Sequence, residues 1–221
     1  EYTVVAKPRD GASRSEDAYH ILDVPTAPFM AVVLDTHHVG PNGTTEAERA
    51  AHETVDTFVG GYINEHGGDR FEAAFHAADT CMIGRFPRYG AVLTAVSIDR
   101  DVMDLAHLGD TRLYASAWNE QGFHILTQDH IASSHEEIHR MEEILRGGRF
   151  QVRAYSSNGR VVHRLYRKRW WWWVDEGLVP TRSLGNVAFR PALIAEPEVT
   201  PVSFRGFAPG TVFALCSDGA R

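Results

Sequence analysis

Apolar and polar positions alternate along this chain in blocks, and the period of the alternation changes from one block to the next. Residues 18–24 and 29–34 each read as a strand, joined by the turn Pro25-Thr26-Ala27-Pro28. From Thr45 to about Glu65, Ala47, Ala50, Ala51, Val55, Phe58, Val59, Tyr62 and Ile63 recur every three or four residues, which predicts a helix. Gly60 and Gly61 weaken its last turns, and Gly67-Gly68 breaks the chain. A second helix carries Phe71, Ala74, Phe75, Ala78, Met82 and Ile83 on one face, and so short a link predicts that the two lie antiparallel. Strands follow over 91–98, 102–108, 113–118 and 123–126. The short links Asp99-Arg100-Asp101 and Asn119-Glu120-Gln121-Gly122 predict antiparallel hairpins. A helix over 134–146 ends at Gly147-Gly148, an expected C-cap. More strand, then loop, leads to a final apolar strand over 211–216, expected at the centre of its sheet. Strands and helices in separate runs, without strand–helix alternation, predict an α+β fold. With no repeat or linker, residues 1–221 read as one domain.

Three aspartates sit where such apolar strands end. Asp35 follows Phe29 to Leu34, Asp110 follows Val102 to Gly109, and Asp218 follows Val212 to Ser217. Aspartate is common in ordinary turns. An ionised carboxylate at the end of a core strand is nevertheless costly unless something binds it. Mg²⁺ and Mn²⁺ favour carboxylate and water oxygens, so three such ends, with the pair Glu16-Asp17, favour one convergent metal site.

The bulk composition narrows the setting. A chain of 221 residues with 43% apolar and 23% charged content can bury its own core. It contains no apolar run long enough to cross a membrane and no visible secretory signal. Cys81 and Cys216 make no disulfide framework, which favours a reducing, intracellular setting, cytoplasmic or nuclear. A net charge of −7 argues against nucleic acid as a partner. Yet Arg149, Arg153, Arg160, Arg164, Arg167, Lys168 and Arg169 fall together without an intervening acid. That run suits either a phosphate or acidic-peptide surface or a solvated hairpin. With Trp170 to Trp173 beside it, Arg167, Trp170 and Trp171 are the expected partner-binding residues. His135-Glu136-Glu137-Ile138-His139 fits the zinc-peptidase pattern H-E-x-x-H, but Ile138, Met141, Ile144 and Leu145 fit ordinary amphipathic packing better.

Taken in order, the landmarks resemble those of the metal-dependent serine/threonine protein phosphatases of the PP2C (PPM) family. Glu16-Asp17-Ala18 resembles the family's N-terminal Glu-Asp element, and Asp35-Thr36-His37 stands where the family has Asp-Gly-His. Leu93-Thr94-Ala95-Val96, Gly109-Asp110-Thr111-Arg112 and Leu126-Thr127-Gln128-Asp129-His130 are similar to three further motifs. Thr181-Arg182-Ser183-Leu184-Gly185-Asn186 resembles Ser-Arg-Ala-Leu-Gly-Asp, Glu196-Pro197-Glu198-Val199 matches outright, and Ser217-Asp218-Gly219 is the late Ser-Asp-Gly. The resemblance implies two packed antiparallel sheets flanked by pairs of antiparallel helices, with metals at one end of the sandwich.

It also implies a chemistry. Asp35 would bridge two Mn²⁺ or Mg²⁺ ions. Glu16 and the carbonyl of Thr36 would complete one ion's protein ligands and Asp218 would hold the other. Asp17 would orient bound water, and Asp110 would serve a third, looser ion. A metal-bridged hydroxide would attack phosphoserine or phosphothreonine in a protein substrate, and His37 would protonate the departing oxygen, work suited to a pKa near neutrality.

Several positions depart from the family pattern. Ala12 stands where the family has its phosphate-gripping arginine, leaving Arg9 or Arg14 as candidate substitutes. Thr36-His37-His38-Val39-Gly40 replaces a glycine-rich loop, and Asn186 replaces an aspartate. The chain stops at Arg221, short of the family's last helix, strands and final aspartate, so a domain lacking its C-terminal part is expected. These departures leave a catalytically impaired pseudophosphatase, acting as a binding or scaffold module, as the alternative to an active enzyme.

Overall fold

Alternation in Phe29–His38 (β2) places Met30, Val32 and Leu34 on one buried face, and that face organises the first layer. The computed structural model describes residues 16–24, 28–38, 44–65, 69–116, 122–157, 160–169, 172–173 and 177–218. β2 pairs antiparallel with β1 (Asp17–Leu22) and with β3 (Tyr89–Asp99). β4 (Val102–Leu108) and β11 (Glu198–Ser203) extend the sheet in the order β1-β2-β3-β4-β11. The short β10 (Leu184–Gly185) pairs with the start of β3, opposite Ala91 and Gly90.

Helices α1 (Thr44–Asn64) and α2 (Arg70–Arg85) pack together and against the Met30-Val32-Leu34 face. Phe58 meets Phe75 edge-on at 5.2 Å between ring centroids, and the Tyr62 hydroxyl bonds to Ser97 Oγ at 2.6 Å. Fully buried Phe58, Phe75, Met30, Leu34 and Met82 stabilise by about 1.5–3 kcal/mol each, so this layer is the strongly held one. Ile63 and Ile83, expected on the buried faces, are instead 43% and 40% exposed. Each lies one position past a residue, Tyr62 or Met82, that already fills the stripe.

The opposite face of the sheet meets a second one in the order β12-β5-β6, comprising Arg112–Ser116 (β5), His124–Ile125 (β6) and Val212–Cys216 (β12). Val96, Met103, Leu105 and Leu113 are buried between them, with Phe204, Phe213 and Leu215 half-buried around. The strand over 211–216, expected at the centre of its sheet, has one neighbour among the described residues. Among the described residues β12 pairs only with β5, and its apolar run is half-buried rather than enclosed.

A third layer holds α3 (His135–Arg146) against β7 (Phe150–Ser157) and β8 (Arg160–Arg169), with β9 (Trp172–Trp173) alongside β8. Met141, Phe150, Leu165, Leu178 and Phe189 form its core. Gly147 is right-handed and Gly148 takes φ +69°, so the left-handed cap of α3 falls at the second glycine. His135 and His139 point to the exposed face of α3, which leaves the zinc-peptidase reading without a site. Glu137, one position on from that motif's glutamate, turns inward. It accepts from Arg140 Nη2 at 2.8 Å, from Arg182 Nε at 2.8 Å and from Thr181 Oγ1 at 2.8 Å. Burial alone would raise its carboxyl, but these three donors outweigh it and hold the group down to about 2. No helix among the described residues is long and apolar enough to cross a membrane.

Polar groups are also buried between the two sheets. His107 Nε2 lies 3.0 Å from the Gln128 carbonyl and must donate to it, so Nδ1 accepts from Thr94 Oγ1 at 2.9 Å. His130 stacks on His107 at 4.8 Å and takes the Gly109 amide on its Nδ1 at 3.2 Å. Burial lowers His107 to about 4, and burial followed by the neighbouring His107 lowers His130 to about 3. Both rings are thus neutral when folded, and protonation favours the unfolded chain. Their contribution is intact above the ordinary value of 6.5 and is lost as pH falls from there toward 4. Urea unfolding at pH 7.5, 6 and 5 should show a midpoint that declines below 6.5; a midpoint constant over this range would contradict the buried neutral pair.

Candidate active site

Strand register brings the predicted acids to one end of the sandwich. Asp17 stands directly opposite Asp35 across the β1–β2 ladder, on the side that faces the second sheet. Ser217 Oγ donates to Asp17 Oδ2 at 3.4 Å, which ties the end of β12, and Asp218 after it, to the start of β1. Asp110 sits in the turn between β4 and β5, behind Gly109 at φ +102°. Thr36 points the other way. Its hydroxyl donates to the Glu16 carbonyl at 2.7 Å and its amide to the same oxygen at 3.2 Å, so the threonine fastens Glu16 beside β2.

Asp35 registers this convergence electrostatically. Burial first, and then Asp17, Asp218, Asp110 and Glu16 in that order, push its carboxyl up to about 8. The five largest influences on it all raise it, so the described surroundings of this carboxylate are dominated by burial and by other acids. Among the described residues, no three histidine, cysteine, aspartate or glutamate side chains stand at closed metal-ligand spacing. The donors converge on Asp35 without closing into a cage. Hard carboxylate oxygens around the half-buried Asp35 carboxylate are nonetheless a donor set that suits Mg²⁺ or Mn²⁺, ions that keep water among their ligands.

His37, two residues along β2, lies opposite Gly90 of β3. Its Nε2 is 2.5 Å from Asn186 Nδ2, and Asn186 Nδ2 also donates to Ser183 Oγ at 2.9 Å. A Cβ at Gly90 would overlap both Asn186 and His37, so glycine is what permits their contact. Burial first and His38 second lower His37 to about 4, well under the near-neutral value expected of it. The arginines of two motif segments are engaged elsewhere. Arg112 grips Asp129 with Nε at 2.8 Å and Nη2 at 2.5 Å, and Arg182 is held by Glu137. Arg9, Arg14, Trp170 and Trp171 lie outside the described residues, while Arg167 is half-buried on β8.

The sequence model described as Protein phosphatase 2C matches residues 73–219, well over half of the chain. The chain belongs to the protein phosphatase 2C family. Solved structures agree at the level of fold. A C. elegans sex determining protein superposes with a TM-score of 0.62 at 20% identity over 90% of this chain and 47% of that one. The S. agalactiae serine/threonine phosphatase gives 0.63 at 16% identity, over 97% of this chain and 77% of that one. The catalytic domain of the serine/threonine protein phosphatase PstP, in complex with two manganese ions, gives 0.53 at 17% identity, over 94% and 72%. The chain thus spans about half the length of the first of these proteins. No curated protein matches the sequence.

Sequence reading missed the parts that frame the site. The bonds of Glu137 to Thr181 and Arg182, of Asp79 to Gly185 and Arg190, and of Thr94 to His107 carry no local signature, because each joins separate elements of the fold. Asn186 was visible only as a replacement, with nothing to show that it reaches His37, 149 positions away. Gly90→Ala tests that junction. Pushing Asn186 and His37 apart should reduce activity by about tenfold or more, with a stability loss of about 1–3 kcal/mol from overpacking. Full activity in a folded Gly90→Ala protein would show that the His37–Asn186 contact has no part in function.

Proposed function

We propose that the protein is a metal-dependent phosphatase acting on phosphoserine and phosphothreonine in proteins, with residues 1–221 belonging to one domain. The observation that carries the reading is the half-buried Asp35 carboxylate, opposite Asp17 in the β1–β2 register, with Glu16, Asp17, Asp110 and Asp218 all acting on it. Asp35, Glu16, Asp17, Asp110, Asp218 and the Thr36 carbonyl are the groups that would hold Mn²⁺ or Mg²⁺, two ions in the fullest form of the reading. Bound there, such ions neutralise phosphoryl charge and raise the acidity of water.

The chain's own residues have distinct tasks in this reading. Asp17, fixed by Ser217 and opposite Asp35, orients water along the sheet end. Water oxygen bonds to phosphorus, the bond from phosphorus to the serine or threonine oxygen breaks, and a proton returns to that oxygen. His37 faces the departing oxygen as its hydrogen-bond donor, held in place by its contact with Asn186. A phosphoprotein partner is the substrate class. The basic β7–β8 hairpin, where Arg153 and Arg164 stand opposite one another, offers it a complementary surface.

Hydrolysis of p-nitrophenyl phosphate and of a phosphothreonine peptide by the full chain, with Mn²⁺ and with EDTA, tests this reading. Turnover should require the metal and should fall by about 10³-fold or more in Asp35→Asn, the variant that removes the charge at the centre of the cluster. Near-wild-type turnover in Asp35→Asn would defeat the assignment. Absence of turnover in the folded, metal-supplied protein would make it a pseudophosphatase.

A further inference from the structure

Asn186 sits on a turn held from two sides. It and Gly185 both adopt left-handed backbone, at φ +46° and φ +69°. On one side the Gly185 amide donates to Asp79 Oδ1 at 2.8 Å. Arg190 Nη2 grips the same carboxylate at 2.8 and 3.0 Å and also donates to the Gly185 carbonyl at 3.4 Å. On the other side the Ser183 amide donates to the Ile194 carbonyl at 2.9 Å, next to Arg182, which α3 holds through Glu137. Asn186 itself is buried. A side chain so anchored, on a residue type that tolerates left-handed backbone, presents its amide in one place.

The direction of that amide follows from its neighbours. Ser183 Oγ donates its proton to the Leu184 carbonyl at 3.1 Å, so only its lone pairs remain for Asn186. The group facing Ser183 must therefore be the NH₂, and the 2.9 Å contact is a donation from Asn186 Nδ2. The same nitrogen, with its second hydrogen, lies 2.5 Å from His37 Nε2. Two N–H groups cannot face each other at that distance, so Nε2 must carry the lone pair.

We propose that Asn186 is a positioning residue that fixes His37 as its Nδ1–H tautomer, with Nε2 accepting from the asparagine and Nδ1 left as the ring's single donor edge. The inference deepens the phosphatase reading, and rests on it for its catalytic meaning: the hydrogen bond offered to the departing oxygen comes from Nδ1. The Gly90 position, where any side chain would overlap the pair, fits a contact that the sheet is shaped to admit.

The test is the nitrogen spectrum of the His37 ring in the full chain, ¹⁵N-labelled at histidine. It is recorded metal-free and with diamagnetic Mg²⁺, and assigned by the signals that His37→Gln removes. The wild type should show a protonated Nδ1 and an unprotonated Nε2. Asn186→Asp presents only acceptor oxygens and should reverse the pattern, placing the proton on Nε2. Asn186→Gly should leave His37 with no single fixed tautomer. Aspartate and glycine both accept the left-handed backbone, so both variants keep the turn. A protonated Nε2 in the wild type, or a tautomer unchanged in Asn186→Asp, would overturn the assignment. Because the spectrum needs no turnover, an inactive protein with the Nδ1–H ring would sustain the assignment and defeat only the phosphatase reading. A protonated Nε2 would defeat the assignment whatever the activity.

Discussion

The structure turns on the Asp35 carboxylate, on which the described acids at one end of the sandwich act together. Asp35 lies within β2, three residues short of its end, is half-buried, and has four other acids acting on it, each making its ionisation harder. Cross-strand register alone enforces part of this, since Asp17 and Asp35 are direct partners on the same face and like charges so placed destabilise a sheet. A sequence that holds several acids together against this repulsion gains nothing in stability from them. The arrangement makes physical sense when a multivalent cation enters it, which is the reading proposed for this member of the protein phosphatase 2C family.

The rest of the fold keeps that end of the sandwich rigid. The helix-covered face, with Phe58, Phe75 and Tyr62, fixes β2 and β3, and through them Asp35 and His37. Thr36 uses its hydroxyl on the Glu16 carbonyl, which gives a structural role to a residue that stands where the family carries glycine. Glu137 serves the opposite flank. By binding Arg140, Arg182 and Thr181 together it joins α3 to the segment that continues into Asn186, so a buried acid far from the cluster helps place a side chain beside His37. Breaking a buried pair of this kind costs about 3–5 kcal/mol, more than an exposed salt bridge contributes.

Much of this was legible in the sequence, and the reasons are specific. The α1 and α2 stripes, the β2 alternation and the acids at strand ends all report on local periodicity, which short windows capture. Ile63 and Ile83 were misplaced because an apolar residue one step beyond a filled stripe looks the same in sequence as one inside it. That β12 has a single neighbour among the described residues was not legible either, because an apolar run of five residues does not say how many neighbours its strand has. The asparagine at position 186 appeared in the sequence only as a replacement for aspartate. Its consequence is one of polarity: an amide donates where a carboxylate could only accept, and that distinction appears only once Ser183 and His37 are seen on either side of it.

The central claim, that the carboxylates around Asp35 form a site for a divalent cation, is tested most directly by binding rather than by turnover. Dialysed protein would be titrated with Mn²⁺, with bound ion and thermal midpoint followed together, alongside Asp218→Asn. Saturable binding that raises the midpoint is predicted, by about 2.7 kcal/mol of added stability at a hundredfold excess over the dissociation constant, with weaker binding in the variant. A folded protein that retains no Mn²⁺ and whose midpoint does not move would contradict the account.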